Sequence, residues 1–168
     1  MHSAFIGLGS NLANPSRQVL QAMQAIAGLP QTGVVARSGL YRSAPVGYLD
    51  QPDFINAVVK IETSLAALDL LQALLALEQE NGRTREFPNS PRTLDLDVLL
   101  YGDLQHHEHG LTVPHPQMHN RAFVLQPLLE IAPDCVIPGM GAAVKFLQQC
   151  QDQRLERLAV SLVDKGGA

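Results

Sequence analysis

Residues 94–101 constrain the fold more than any other stretch of this chain. The run Leu-Asp-Leu-Asp-Val-Leu-Leu-Tyr alternates apolar and acidic residues, and residues two apart in a β-strand point to the same face of a sheet. The alternation predicts a strand that buries the even-numbered residues from Leu94 to Leu100 on one face. Asp95 and Asp97 then project side by side from the opposite face.

The remaining patterns predict the order of the elements. Further strands are indicated at 4–8, 33–42 and 54–63, helices at 15–27 and 67–81, a hairpin at 104–113, and shorter helices near 120–126 and 142–150. The order β-α-β-β-α-β is the split βαβ arrangement of ferredoxin-like folds. We therefore expect an α+β sandwich with an antiparallel sheet, its two main helices on one face, and extra C-terminal helices that can cover the other.

The two long helices carry recognisable signals. Asn14 is placed to cap the first and Pro15 to begin it, and Val19, Met23 and Ile26 form its apolar stripe. In the second helix, Leu68, Leu71 and Leu75 are expected to share the buried face.

Length and composition indicate a single globular domain. The chain has 168 residues with 46% hydrophobic and 17% charged residues, and we assign residues 1–160 to the domain and 161–168 to a disordered tail. The region from 151 onward carries no predicted element.

The same features narrow the partners and the compartment. The net charge is −4 without a run of lysine or arginine, so no nucleic acid is expected. No signal sequence or membrane span is indicated, and the two cysteines match no zinc or redox spacing. We expect a soluble cytoplasmic protein, either a monomer, which we prefer, or a small oligomer.

The acidic pair lies beside a group of arginines. Like charges on one strand repel unless a cation lies between them, and Mg²⁺ commonly uses one or two carboxylates together with substrate phosphates. Arg83, Arg85 and Arg92 precede the pair, and arginine makes bidentate contacts with phosphate oxygens. This composition predicts a metal–polyphosphate site.

The residues 91–99, Pro-Arg-Thr-Leu-Asp-Leu-Asp-Val-Leu, resemble the signature of the 6-hydroxymethyl-7,8-dihydropterin pyrophosphokinase family of folate biosynthesis. Four other segments resemble the family in order and at similar spacing: Gly7-Leu8-Gly9-Ser10-Asn11-Leu12, Gln51-Pro52-Asp53-Phe54-Ile55-Asn56-Ala57, Leu111-Thr112-Val113-Pro114-His115 and Asn120-Arg121-Ala122-Phe123-Val124-Leu125. Together they cover about residues 4–135. The family's fold is a ferredoxin-like α/β sandwich, in agreement with the predicted order of elements.

The resemblance implies a reaction and a set of roles. Asp95 and Asp97 would bind two Mg²⁺ ions that bridge the ATP phosphates, and the substrate hydroxyl would attack the β-phosphorus and release AMP. Arg83 and Arg92 match the catalytic arginines, and Asp97 is a candidate to take the hydroxyl proton.

The resemblance also assigns the small-molecule substrates, ATP and a reduced pterin, to separate residues. The residues implied for the pterin are Gly9, Ser43, Ala44, Val46, Phe54, Asn56 and Phe123. The residues implied for the nucleotide are Glu78, Arg85, Val98, Thr112, His115 and Arg121. Phe54 and Phe123 would stack on the ring, and Asn56 would read its polar edge.

Several features depart from the family or leave other readings open. The loop 83–91 is one residue shorter, holds Asn89 where a tryptophan would stand, and leaves Phe87 as a candidate lid contact. The run 106–109, His-His-Glu-His, is interpreted as an exposed polar loop rather than a metal site. Nucleotidyl transfer and a regulatory ligand-binding module are the alternative functions; the first is disfavoured because Gly9-Ser10 and Asp95 are far apart in sequence. A length of 168 residues leaves no room for a fused pathway enzyme.

Overall fold

The computed structural model describes residues 1–12, 14–45, 50–80 and 94–159, and an antiparallel β-sheet forms its centre. The strands are β1 (His2–Ser10), β2 (Thr32–Arg37), β3 (Tyr41–Ser43), β4 (Phe54–Thr63), β5 (Asp95–Tyr101), β6 (His106–Glu108), β7 (Leu111–Val113), β8 (Val136–Ile137), β9 (Gly141–Ala142) and β10 (Leu155–Arg157). The helices are α1 (Pro15–Ala27), α2 (Ala67–Glu80), α3 (Ala122–Ile131), α4 (Ala143–Gln148) and a 3₁₀ turn at Met118–Asn120. The mixed helix and antiparallel-sheet class expected from the sequence is confirmed.

The main sheet has the strand order β10-β3-β4-β1-β5, and β2 pairs with β4 beyond the end of β3. The single strand expected at 33–42 is therefore broken into β2 and β3, which share one edge of β4. Ser38 lies in the break and pairs with Val58: its amide donates to the Val58 carbonyl, and its hydroxyl oxygen accepts from the Val58 amide. A side chain thus replaces a ladder bond where the strand changes course.

The two faces of the sheet bury separate cores. α1 and α2 cover one face, packing on residues such as Ile6 and Ile61. α3 and α4 cover the other face, packing on Val58 and Leu99. Burial of each such aliphatic side chain contributes about 2 kcal/mol. The main helices thus lie on one face of the sheet and the C-terminal helices on the other, as expected.

The strand β5 does not alternate to its end. Ile6 pairs with Val98, but Phe5, the residue before it in β1, pairs with Leu100, so Leu99 is an extra residue in β5. A bulge of this kind reverses the faces that follow it. Leu100 consequently joins Leu99 in the α3 core rather than Leu94 in the α1–α2 core, contrary to the expected alternation.

The buried face of α2 differs from the expected stripe. Leu70, Leu74 and Glu78 are its buried residues, whereas Leu75 is 37% exposed. Leucine and alanine occur on every side of this helix, so the periodicity of apolar residues could not distinguish between adjacent stripes. The deciding residue is polar: the Glu78 carboxylate accepts a hydrogen bond of 2.6 Å from the backbone amide of Leu96 on β5.

The first helix begins where expected but by another means. Pro15 is its first residue, and Val19, Met23 and Ile26 are buried as expected. Asn14 makes no side-chain cap; its backbone is left-handed, with φ 60°, a conformation that asparagine adopts more readily than most residues.

The C-terminal region contains a strand that the sequence did not indicate. β10 pairs with β3, with Leu155 opposite Ser43 and Arg157 opposite Tyr41. The tail expected at 161–168 lies outside the described residues. No helix in the described ranges is long and apolar enough to cross a membrane.

Glu130 on α3 joins the helix to the edge of the sheet. Its carboxylate accepts hydrogen bonds from the Tyr41 hydroxyl at 2.6 Å, the Gly39 amide at 3.1 Å and the Arg157 guanidinium at 3.2 Å. Burial raises the pKa of Tyr41 to about 12, with the Glu130 carboxylate adding to it. For Glu130, burial raises the pKa, but these three donors outweigh burial and hold it below its ordinary value.

We expect Glu130→Gln to reduce stability at neutral pH and to matter less in acid. The folded-state pKa of Glu130 is depressed below the value of 4.5 for an unfolded chain. The contribution of the ionised carboxylate to the free energy of unfolding is therefore complete above pH 4.5 and is lost as the pH falls through the folded-state pKa. Thermal unfolding from pH 7 to pH 3 measures this difference. Glu156→Gln is the control, because Glu156 makes an exposed ion pair with Arg42 and such pairs contribute little. An equal difference between wild type and Glu130→Gln at every pH would contradict the expectation.

Candidate active site

A cavity opens between the sheet and the start of α3. It holds about 720 Å³ of empty space, which includes the solvent at its open mouth. Its lining consists of Gly7, Leu8, Gly9, Ser43, Ala44, Phe54, Asn56, Ala57, Val58, Asp95, Asp97, Leu99, Arg121, Phe123 and Val124. The cavity therefore collects residues from β1, β3, β4, β5 and α3 on one face of the sheet.

Two glycines of β1 form the cavity floor. Gly9 pairs with Asn56 on β4 and with Asp95 on β5, and Gly7 pairs with Val58 and Asp97 in the same way. A Cβ on Gly7 would lie 3.3 Å from Leu99 Cδ2, and one on Gly9 would lie 3.5 Å from Asn56 Oδ1. Glycine thus leaves open the space between an amide on one side and two carboxylates on the other.

The Asn56 side chain is held in one orientation. Its Nδ2 donates to Ser43 Oγ at 2.7 Å and to the Tyr41 carbonyl at 3.3 Å, and the residue is 4% exposed. Both amide hydrogens are therefore engaged by β3. Oδ1 lies toward Gly9 at the floor, where it can accept a hydrogen bond from a ligand.

Two aromatic rings border the cavity from different elements. Phe54 begins β4, and Phe123 lies in the first turn of α3; both are half-buried and both line the space. The Arg121 guanidinium lies 5.5 Å from the centre of the Phe123 ring, a cation–π distance. These two rings and the Asn56 amide line the same cavity, and apolar ring faces with one polar group to bond a ligand edge suit a flat heterocycle.

The two aspartates lie at the other side of the floor. Asp95 and Asp97 are half-buried, line the cavity and occupy alternate positions of β5, so their Cα atoms are about 6–7 Å apart. His115 Nε2 lies 3.9 Å from Asp97 Oδ2. Glu78 holds the backbone amide of Leu96, the residue between the aspartates, from the side of α2.

His115 is a neutral donor at the edge of this acidic pair. Burial, with Arg121 nearby, lowers the pKa of His115 to about 4, although Asp95 opposes the shift. The Gln117 amide donates to His115 Nδ1 at 3.1 Å, so the ring proton lies on Nε2, the atom toward Asp97. At neutral pH the imidazole therefore adds an N–H donor and no charge.

Most of the expected site residues meet in this cavity, but not all. Gly9, Ser43, Ala44, Phe54, Asn56, Asp95, Asp97, Arg121 and Phe123 line it, and His115 adjoins it. Three expected nucleotide residues lie elsewhere: Glu78 is buried behind β5, the Val98 side chain is in the α1–α2 core, and Thr112 is on β7, bonded to His107 at 2.8 Å. Val46, Arg83, Arg85, Phe87, Asn89 and Arg92 lie outside the described residues.

Six lining residues were not expected. They are Gly7, Leu8, Ala57, Val58, Leu99 and Val124. Gly7 could have been found, because it lies two residues before Gly9 and so shares its face. Leu99 could also have been found, because alternation along β5 places it on the face of Asp95 and Asp97.

The donor set around β5 suits a hard divalent cation. Two carboxylates on one strand, with room beside them for phosphate oxygens, match the ligands that Mg²⁺ prefers. Among the described residues, no three His, Cys, Asp or Glu side chains are placed to hold a metal by themselves. The run 106–109 forms β6 and the turn after it, and its residues are exposed except for half-buried His106.

A carboxylate pair and two aromatic rings that line one cavity are typical of a site that binds a planar heterocycle together with a hard cation. Comparison with known families gives the assignment: residues 5–133 match the 7,8-dihydro-6-hydroxymethylpterin-pyrophosphokinase family, and the chain belongs to that family. The resemblance seen in the sequence is confirmed.

Similar proteins from individual organisms support the same family assignment. The chain is 46% identical over 158 residues to the 2-amino-4-hydroxy-6-hydroxymethyldihydropteridine pyrophosphokinase of Haemophilus influenzae, covering 94% of this chain and 99% of the relative. It is 47% identical to the protein of the same name from Pseudomonas aeruginosa, covering 92% and 95%.

Solved structures share the fold at low identity. The Plasmodium falciparum HPPK-DHPS structure with pteroate has a TM-score of 0.69 at 13% identity. The match covers 88% of this chain and 42% of that one, so this chain spans less than half the length of that protein.

We expect the His115 imidazole to stay neutral throughout the range where an exposed histidine titrates. Burial penalises the charged ring and lowers its pKa to about 4. Nitrogen-15 NMR of the ligand-free protein should give the shift of a protonated Nε2 and an unprotonated Nδ1 from pH 8 down to pH 5. His115→Gln identifies the resonance. A midpoint near 6.5, or a proton on Nδ1, would contradict the geometry described.

Proposed function

We propose that this protein transfers the pyrophosphoryl group of ATP to 6-hydroxymethyl-7,8-dihydropterin, giving the pterin diphosphate and AMP in folate biosynthesis. Membership of the pyrophosphokinase family supports this reaction, as does 46% identity to the Haemophilus influenzae enzyme over nearly its whole length. The observation that carries it is the shared cavity floor. Asn56 and the aspartate pair lie on either side of Gly7 and Gly9, so a heterocycle and a phosphate chain can be bound end to end.

The pterin would occupy the slot between Phe54 and Phe123. A ring N–H or amino group would donate to Asn56 Oδ1, because Ser43 and Tyr41 already engage the Asn56 amide hydrogens. Ser43 and Ala44 form the wall beyond Asn56, and Val46 would extend that wall. Asn56 and Asp95 are two inter-strand spacings apart, about 10 Å, which suits a bicyclic ring whose hydroxymethyl group points toward the aspartates.

Asp95 and Asp97 would hold two Mg²⁺ ions together with the ATP phosphates. Bound there, the cations supply positive charge to both the entering and the leaving oxygens of an in-line displacement. The side-chain chemistry fits this role, since both carboxylates line the cavity and adjacent phosphate oxygens would complete the ligand set.

In the reaction, the hydroxymethyl oxygen forms a bond to the β-phosphorus, and the bond from that phosphorus to the oxygen bridging the α-phosphorus breaks. That oxygen and its electron pair leave with AMP. Asp97, which pairs with Gly7 at the cavity floor, is the candidate to accept the hydroxyl proton. His115 Nε2–H would donate to a phosphate oxygen, a contact that a neutral imidazole can make at physiological pH.

The arginines would stabilise the charge that develops on the phosphates. Arg121 lines the cavity with its guanidinium near the Phe123 ring and is proposed to contact the phosphates. Arg83 and Arg92 are proposed as catalytic, and Arg85 as a nucleotide contact. Thr112 lies three residues before His115 and is proposed to bind the nucleotide from β7.

Glu78 and Val98 need roles consistent with their burial. Glu78 is 1% exposed and bonded to the β5 backbone, so we propose that it holds the metal-binding strand. Val98 could meet a nucleotide only through its main chain.

We also infer that the core is a ferredoxin-like βαββαβ unit. With β2 and β3 counted as the two halves of one strand, the order across the sheet is β5, β1, β4 and β2/β3, and α1 and α2 pack on the same face. We further propose that the protein is cytoplasmic and has no nucleic-acid partner. We also propose that it is a monomer, and the retention volume in size-exclusion chromatography tests this oligomeric state.

We expect the wild-type protein, given ATP, Mg²⁺ and 6-hydroxymethyl-7,8-dihydropterin, to release one AMP for each pterin diphosphate. Asp97→Ala should lower kcat about a thousandfold, because a carboxylate that places the cations is lost. Asp103→Ala is the matched control, since Asp103 is exposed beyond the end of β5. Product analysis by anion exchange distinguishes AMP from ADP.

The products also test nucleotidyl transfer. Gly9 pairs directly with Asp95, so their separation in sequence does not disfavour that reaction. An adenylylated pterin with released pyrophosphate would establish it and overturn the proposal. Absence of any turnover would favour a regulatory binding module.

We expect Gly9→Ala to raise KM for the pterin about tenfold while the protein stays folded. The added methyl lies at ordinary contact distance from Asn56 Oδ1, 3.5 Å, but occupies the floor on which the ring would lie. KM for ATP should change much less. Gly33→Ala on β2 is the control, because a Cβ there meets nothing within 4 Å. If both substitutions changed KM for the pterin equally, the cavity floor at Gly9 would not be part of the pterin site.

A further inference from the structure

The segment 153–158 touches both walls of the cavity from outside. It lies beyond residues 5–133, which match the family, and none of its residues lines the cavity. At one end Gln153 contacts the chain on either side of Arg121; at the other, β10 lies against β3. These contacts reach the start of α3, next to Arg121, and β3, whose residues hold the Asn56 side chain.

Gln153 holds the backbone around Arg121 with both halves of its amide. Its Oε1 accepts from the Ala122 amide at 2.9 Å, and its Nε2 donates to the Asn120 carbonyl at 2.8 Å. Ala122 begins α3, and Arg121 just before it is extended, with φ −122° and ψ 110°. The two bonds thus fix the residue from which the Arg121 guanidinium projects into the cavity.

Arg157 holds the opposite wall. Its guanidinium donates to Glu130 at 3.2 Å, lies 6.0 Å from the centre of the Tyr41 ring, and covers Gly39, where a Cβ would come within 2.7 Å of it. Glu130 also accepts from the Tyr41 hydroxyl. Tyr41 in turn pairs with Asn56 and accepts from its amide.

We propose that residues 153–158 are a brace that positions the substrate groups: Gln153 aligns Arg121, and Arg157, through Glu130 and Tyr41, aligns Asn56. Both are positioning residues, because neither touches the cavity. The proposal rests on the proposed pyrophosphoryl transfer. If the proposal is correct, the two ends of the brace affect different kinetic constants. Loss of Gln153 affects kcat/KM for ATP, and loss of Arg157 affects KM for the pterin.

The kinetic test uses the full chain with Gln153→Ala and Arg157→Ala. Gln153→Ala should lower kcat/KM for ATP about tenfold, since a displacement of under 1 Å in a phosphate contact costs this much or more. Arg157→Ala should raise KM for the pterin with little change in kcat. Gln149→Ala and Arg154→Ala, exposed neighbours in the same region, are the matched controls and should behave as wild type.

A double-mutant cycle separates positioning from loss of stability. In an Arg121→Ala background, Gln153→Ala should have no further effect on kcat/KM, because it acts through Arg121. An equal loss in both backgrounds, or no loss in either, overturns the role of Gln153. Recovery of the pterin KM in Arg157→Lys supports a positioning role for Arg157; a pterin KM unchanged in Arg157→Ala overturns it.

Amide hydrogen exchange provides a readout independent of turnover. Exchange at Ala122 should accelerate in Gln153→Ala and stay unchanged in Gln149→Ala. If wild type turns over and the variants match it in both rate and exchange, the brace fails and the proposed function stands. If wild type has no turnover, the function fails, and the exchange rates still decide whether Gln153 holds this backbone.

Discussion

The antiparallel pairing of β1 with both of its neighbours is the constraint on which the candidate site depends. Backbone hydrogen bonds fix Gly9 between Asn56 and Asp95, so the spacing of the two binding chemistries follows from sheet geometry rather than from flexible side chains. A slip of one residue would turn every side chain of a strand to the other face. Ile6, which is fully buried in the α1–α2 core, opposes such a slip because it would have to face the other way.

Polar side chains convert this sheet into a site because each is tied to backbone at a critical place. Asn56 is held by β3, Glu78 holds an amide of the edge strand β5, and Glu130 holds the turn before β3. Burying such groups is unfavourable unless they are hydrogen-bonded. When these side chains are hydrogen-bonded, they restrict the motion of the strands that carry the proposed substrate- and metal-binding residues. Phosphoryl transfer requires such restriction, because the reacting groups must be aligned.

The sequence was sufficient where local pattern and burial agree. Alternation placed Asp95 and Asp97 on one face, and the helical stripe of α1 was correct. It failed where a distant residue decides. The bulge at Leu99 depends on pairing with β1, the buried stripe of α2 depends on a bond from Glu78 to β5, and β10 is three residues with no apolar alternation. Glu78 and Val98 show a related limit, since a motif match does not say which way a side chain points.

The backbone floor at Gly7 and Gly9 bears on how the cavity could be inhibited. A compound resting there would contact main chain, whose shape a substitution cannot alter without adding atoms. A methyl at Gly7 would already meet Leu99 at 3.3 Å, and it would narrow the space for the natural ligand as much as for the compound. A substitution at either glycine that weakens such a compound would therefore also weaken binding of the natural ligand, whereas side chains at the rim can change without altering the floor.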